Sequence, residues 1–222
     1  MKLKIHYQYS HLLIVLILLV LLAPIIPSLN HDFPFFSLLF AGMAVLALKA
    51  IARKRWQFIA GVVLLSGLFL LEFLPGAGFV ERSAELSEVL SLLVYILFIG
   101  VSIGMLCYKV FSERTVDMDT IQGGISIYLL LGLLWALFYR LIEVFDAAAF
   151  SIPSYDNNWV HIFFYFSFVT LTTMGYGDIV PKNNFAMTLC TAEALVGQIF
   201  LTVFISRLVS LHLANKIQGR KE

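Results

Sequence analysis

Six long apolar runs constrain this chain more than any other feature: residues 12–26, 33–52, 58–74, 89–108, 121–139 and 185–206. A helix needs roughly 20 apolar residues to cross the hydrocarbon layer of a bilayer. A water-soluble domain has no use for six such runs, because polar residues must cover its outside. Here they cannot, since 60% of the 222 residues are hydrophobic and only 13% are charged. Soluble domains average about 45–50% and about 25%. Lipid is the expected solvent, and the expected fold is all-α: six transmembrane helices plus one special segment. The net charge of +1 gives no reason to expect a nucleic-acid partner. Cys107 and Cys190 lie in apolar runs and form neither a disulfide framework nor a metal-ligand spacing.

The loops orient these spans. Twelve of the fifteen Lys and Arg residues fall on one side if the amino terminus is cytoplasmic. They are Lys2, Lys4, Lys49, Arg53, Lys54, Arg55, Lys109, Arg114, Arg207, Lys216, Arg220 and Lys221, which leaves Arg82, Arg140 and Lys182 outside. Such a split predicts a multi-pass protein with both termini in the cytoplasm. The first run also meets the description of a signal peptide, but no A-x-A cleavage pattern follows it at 23–27.

Between the last two runs lies residues 159–173, apolar and aromatic but too short to span. Within it, 165–172 is predicted to form a short helix. The chain then continues through two glycines, which take backbone conformations closed to other residues. Unpaired carbonyls at bilayer depth are tolerated only where they are buried in protein or line a watery path. A short helix followed by an extended, glycine-containing return therefore predicts a re-entrant pore loop, whose carbonyls can replace the water shell of a cation.

The run Thr172-Thr173-Met174-Gly175-Tyr176-Gly177-Asp178 resembles the selectivity filter of tetrameric potassium channels. With the stretch 128–135 ahead of it, the chain is most similar to small bacterial six-helix ion channels with a single pore loop. The likeness covers about residues 115–215 and differs from the commonest filter at Met174, where valine is usual. It implies a pore domain over 115–215, a four-helix membrane domain of unknown role over 1–114 and a short cytoplasmic tail over 216–222. The setting it implies is the bacterial inner (plasma) membrane.

The resemblance also implies roles for individual residues. Carbonyls of Thr173, Met174, Gly175 and Tyr176, with the Thr173 hydroxyl, are expected to bind potassium ions, and Gly177 to make the outer turn. Thr172, Asp178 and Tyr165 are expected to support the loop, Tyr165 by donating its hydroxyl to Asp178. Gly197, nineteen residues after Asp178, is the candidate gating hinge, with close helix packing as the alternative. Glu193 is an acid inside an apolar span and is read as a structural brace, with proton sensing as the alternative. Arg140 and Glu143, three apart, are expected to form a surface ion pair.

The expected function is passive, potassium-selective conduction by a homotetramer in the lipid bilayer, because one filter loop supplies a quarter of a ring. The alternative is a weakly selective cation channel. No cofactor is expected beyond the permeant potassium ion. An enzyme is not expected, since the spans offer Glu193 alone, without a reactive partner nearby. Voltage gating is not expected either: the run 89–108 carries no Lys or Arg to move through the field.

Overall fold

The computed structural model describes residues 9–22, 82–113, 116–152 and 158–218. The expected spans at 33–52 and 58–74 lie outside these residues. In chain order the described elements are α1 (Ser10–Leu22), α2 (Arg82–Ser112), α3 (Met118–Phe145), β1 (Phe150–Ser151), α4 (Trp159–Leu171), β2 (Val180–Pro181) and α5 (Asn184–Gln218). Among the described residues three helices are long and apolar enough to cross a membrane: Glu88–Ser112, Met118–Phe145 and Asn184–Leu213. The protein is an integral membrane protein.

α3 is the element on which the others assemble. It starts where Asp117 caps it, accepting from the Thr120 N–H at 2.8 Å and the Thr120 hydroxyl at 2.7 Å. Burial works against the charge of this carboxyl, but the bonds from Thr120 outweigh it and hold Asp117 below the usual carboxylate range. α1 lies along α3 through Leu12, Leu16 and Leu19, all buried, while Ile14, Ile17, Leu18 and Leu21 stay exposed. That spacing is one helical face against protein and the rest against lipid. The start of α1 is pinned by the Tyr9 N–H on Asp119 at 3.0 Å and the Ser10 hydroxyl on Gln122 at 2.6 Å. α2 lies on α3 by the same logic, burying Leu92, Ile99 and Leu106 at heptad spacing and exposing Leu90, Leu93 and Leu97.

α3 ends at Asp146, whose N–H still reaches the Ile142 carbonyl while its own backbone is extended. The chain returns through β1, which pairs antiparallel with β2, Phe150 opposite Pro181. This two-residue ribbon, with the Lys182 N–H on the Ala149 carbonyl at 2.7 Å, ties the end of α3 to the start of α5. Beneath it sits an aromatic cluster: Tyr139 and Phe166 at 5.0 Å between centroids, Phe150 and Phe163 at 5.3 Å, Phe150 and Phe166 at 5.6 Å. Tilted and edge-on contacts of this kind hold rings in fixed orientation. They seat α4 against α3.

Candidate functional site

α4 has 13 residues, about 20 Å of helix at 1.5 Å per residue, well short of a bilayer core. It begins six residues before the predicted 165–172. The reason is Asn158, whose side chain accepts from the N–H groups of Val160 at 3.0 Å and His161 at 3.4 Å and so caps the helix there. Its other end is a Schellman motif. The Thr173 N–H bonds the Thr170 carbonyl at 2.9 Å, and the Met174 N–H bonds the Val169 carbonyl at 2.9 Å. Glycine is the usual residue at the left-handed position of this motif. Here it is Thr173, with φ of 58°.

A β-branched residue in that conformation is strained, by roughly 1–3 kcal/mol, and the strain belongs to a pattern. Gly175 and Gly177 have φ of 56° and 79°, and Met174 and Tyr176 between them are not left-handed. An alternation of positive and negative φ suits a backbone whose neighbouring carbonyls turn to the same side instead of opposite sides as in a strand. All of residues 172–178 are exposed, whereas the flanking Leu171 and Ile179 are buried.

The loop is held from its flank. The Tyr165 hydroxyl donates to Asp178 Oδ2 at 2.6 Å, and the other carboxylate oxygen accepts the Ile179 N–H at 3.1 Å. The Tyr165 and Tyr176 rings stack, nearly parallel, with centroids 6.4 Å apart. The Thr172 hydroxyl turns back to the Phe168 carbonyl at 2.6 Å. Beside this support lies a largely apolar cavity of about 290 Å³, bounded by Val20 of α1 and by Tyr165, Phe168, Thr172 and Met174.

α5 meets the base of the loop at two points. At Gly197 a Cβ would stand 2.5 Å from the Leu171 carbonyl oxygen and 2.9 Å from Leu171 Cδ1, so close packing by itself requires glycine there. One turn earlier Glu193 is fully buried. Its carboxyl accepts from the Tyr139 hydroxyl of α3 and meets the Ser167 hydroxyl of α4 at 2.5 Å. Ser167 also reaches the Gly132 carbonyl of α3 at 2.8 Å. Tyr128 adds a further tie, its hydroxyl donating to the Leu171 carbonyl at 3.2 Å.

The sequence assigns no role to Tyr139, Ser167 or Tyr128. The signal was present only as hydroxyls inside apolar windows, without a way to tell which face they occupy. The expected Arg140–Glu143 ion pair forms, and it is part of a larger contact. Arg140 bonds Glu143 at 2.6 Å and Glu88 of α2 at 2.5 Å, and its guanidinium lies 5.4 Å from the centre of the Trp159 ring. It joins α2, α3 and α4 at one end of the bundle.

Comparison with known proteins fits this geometry. Residues 125–213, the span from α3 through the loop to α5, match a family described as ion channel. Two pore potassium channel a of Oryza sativa subsp. japonica is 35% identical over 99 residues, covering 45% of this chain and 26% of that protein. Two-pore potassium channel 4 of Arabidopsis thaliana is 45% identical over 102 residues, covering 45% of this chain and 36% of that protein. The chain thus spans about a quarter to a third of the length of these relatives. No solved structure matches it. The segment built around the exposed loop is similar to ion channels, with potassium channels among its relatives, and an integral membrane protein carries it.

Proposed function

We propose that the protein is a potassium-selective channel that conducts passively as a homotetramer. The observation that carries this reading is the alternating sign of φ over 173–177, positive at Thr173, Gly175 and Gly177, a backbone suited to turning neighbouring carbonyls to one side. Four such rows around an axis offer a dehydrated cation rings of oxygen in place of water. In this reading the carbonyls of Thr173, Met174, Gly175 and Tyr176 and the Thr173 hydroxyl hold potassium, and Gly177 makes the outer turn. Thr172, Tyr165 and Asp178 keep the row in place. The carboxyl end of α4 contributes a partial negative charge that favours a cation below the loop.

The sequence holds one such motif, so four copies close the ring. The pore domain is 115–215, with 216–222 as a cytoplasmic tail. In this reading the segment 1–114 supplies four further spans, of which those at 33–52 and 58–74 lie outside the described residues; that makes six in all with both termini cytoplasmic and the loop re-entrant from outside. Val89 to Tyr108 of α2 contain no Lys or Arg, so that stretch has no cation to move through the field, and in this reading the channel is not voltage-gated. The relatives are plant proteins, so a bacterial inner membrane rests on the sequence resemblance alone. No cofactor and no catalytic step enter this account.

Liposomes containing the purified protein test the reading. Potassium efflux that barium blocks, with sodium efflux near background, is the expected outcome. Equal potassium and sodium fluxes would favour a weakly selective cation channel, and no ion flux at all would remove the channel reading.

A further inference from the structure

Three oxygen–oxygen contacts run in one chain through Glu193, two of them on its own carboxyl, and their protons have to be shared out. Tyr139 Oη contacts Glu193 Oε2; Glu193 Oε1 lies 2.5 Å from Ser167 Oγ; Ser167 Oγ lies 2.8 Å from the Gly132 carbonyl oxygen. A close contact between two oxygens is attractive only when a proton lies between them. Tyr139 supplies one proton and Ser167 one, while the Gly132 carbonyl has none. An ionised Glu193 leaves two protons for three contacts, so one pair of oxygens meets lone pair to lone pair. A neutral Glu193 supplies the third.

We propose that Glu193 carries its proton and donates it to Ser167, completing a chain from the Tyr139 hydroxyl through Glu193 and Ser167 to the Gly132 carbonyl. That chain makes Glu193 a positioning residue, fixing α5 against both α3 and α4 one turn from the Gly197 contact. The surroundings agree. Arg140, the residue after Tyr139, is engaged by Glu88 and Glu143. Among the described residues the titratable groups that face the carboxyl are Tyr139 and Tyr128 from α3 and Cys190 from α5 itself, and α4 contributes the Ser167 hydroxyl. None of these is a cation, and a buried carboxylate without one carries a large desolvation cost. The inference uses the placement of α5 in the membrane and is independent of ion selectivity, so failure of the channel reading leaves it standing.

Infrared absorption of the protein in lipid bilayers tests it. At neutral pH the wild type is expected to show the carbonyl stretch of a protonated carboxyl, and Glu193→Gln to lack it. Ser167→Ala, which removes the acceptor, is expected to move that band to higher frequency, and this decides the matter even where Glu193→Gln does not assemble. Where it does assemble, Glu193→Gln retains oligomer stability, because its amide can donate to Ser167 and accept from Tyr139. A wild type without the band overturns the proposal, as does a band that survives Glu193→Gln or one that ignores Ser167→Ala.

Discussion

The two long helices that flank α4 are treated in opposite ways by their own chain. Half of the most apolar stretch of α3 is buried, against 11% of that of α5. α3 is covered by α1, α2 and α4, and its inward row of Ile127, Leu130, Leu133 and Leu137 is almost completely enclosed. α5 has the same kind of residues, yet Leu195, Ile199, Val203 and Val209 are each more than half or about half exposed. What α5 has instead is two anchors one turn apart, the polar contact at Glu193 and the tight approach at Gly197. α3 is a finished part of one chain. α5 and the neighbouring loop are positioned but uncovered, which suits the proposed ring of copies in lipid.

Breaking the loop itself should have the largest effect. Gly175→Ala puts a Cβ on a residue with φ of 56°, where nothing lies within 4 Å of it in one chain. The cost is therefore conformational, about 1–2 kcal/mol per subunit, and is repeated around the ring. Potassium-over-sodium discrimination in bi-ionic recordings is expected to vanish; full selectivity in this variant would mean that the loop is not the filter. Thr173→Ala should be milder, since it removes one hydroxyl and leaves the carbonyls.

Next in size is the anchor. Gly197→Ala forces its Cβ to 2.5 Å from the Leu171 carbonyl, an overpacking worth roughly 1–3 kcal/mol. α5 must shift away from α4, so the thermal midpoint of the detergent-solubilised oligomer should fall. An unchanged midpoint with altered opening would favour a hinge at Gly197 over a packing contact.

Tyr165→Phe comes third. It removes the 2.6 Å bond to Asp178, a charge-assisted bond worth about 1.5–3 kcal/mol when shielded and less at an exposed site. Shorter open dwells with assembly intact are expected in single-channel records. Unaltered dwells would take the tyrosine out of the support.

On the finished side of the molecule the effects should be small and should not touch conduction. Asp117→Ala removes the α3 cap at a cost of about 1 kcal/mol. Because that carboxyl lies below its ordinary range in the folded state, its contribution is present above the usual carboxylate range and is lost on acidification through the folded value. The variant should therefore lose a small part of the wild type's acid sensitivity in thermal unfolding. The smallest expected effect is none: open probability should change little between about −100 and +100 mV, because residues 89–108 of α2 hold no Lys or Arg to convert about 2.3 kcal/mol per charge per 100 mV into work. A steep sigmoid with several gating charges would contradict this.

What could be read without coordinates followed from lipid. A bilayer fixes the length of a span, so the windows at 89–108, 121–139 and 185–206 locate α2, α3 and α5, though each helix runs past its apolar window where capping and polar turns extend it. The segment 159–173 is short by the same ruler, but its helix starts at Trp159 and not at Tyr165. The apolar run Trp159 to Phe164 has no periodicity to mark a boundary, and the capping Asn158 is the signal that does. The Tyr165–Asp178 bond is implied by the resemblance of the run 172–178; spacing alone does not give it. The partners of Glu193 could not be anticipated. Tyr139 and Ser167 are 54 and 26 residues away, and their meeting depends on how three helices rotate about their axes, which hydrophobic windows leave open. Arg140 illustrates the same limit, since its local partner was visible and its distant partner Glu88 was not.

The central claim is that the exposed loop, repeated around an axis, passes potassium in preference to sodium. The most direct measurement is the reversal potential of the purified protein in a planar bilayer, with potassium on one side and sodium on the other at equal concentration. The account predicts a reversal potential far from zero, of the sign set by the potassium gradient, and its collapse toward zero in Gly175→Ala. A wild-type protein that conducts and reverses at zero would contradict it.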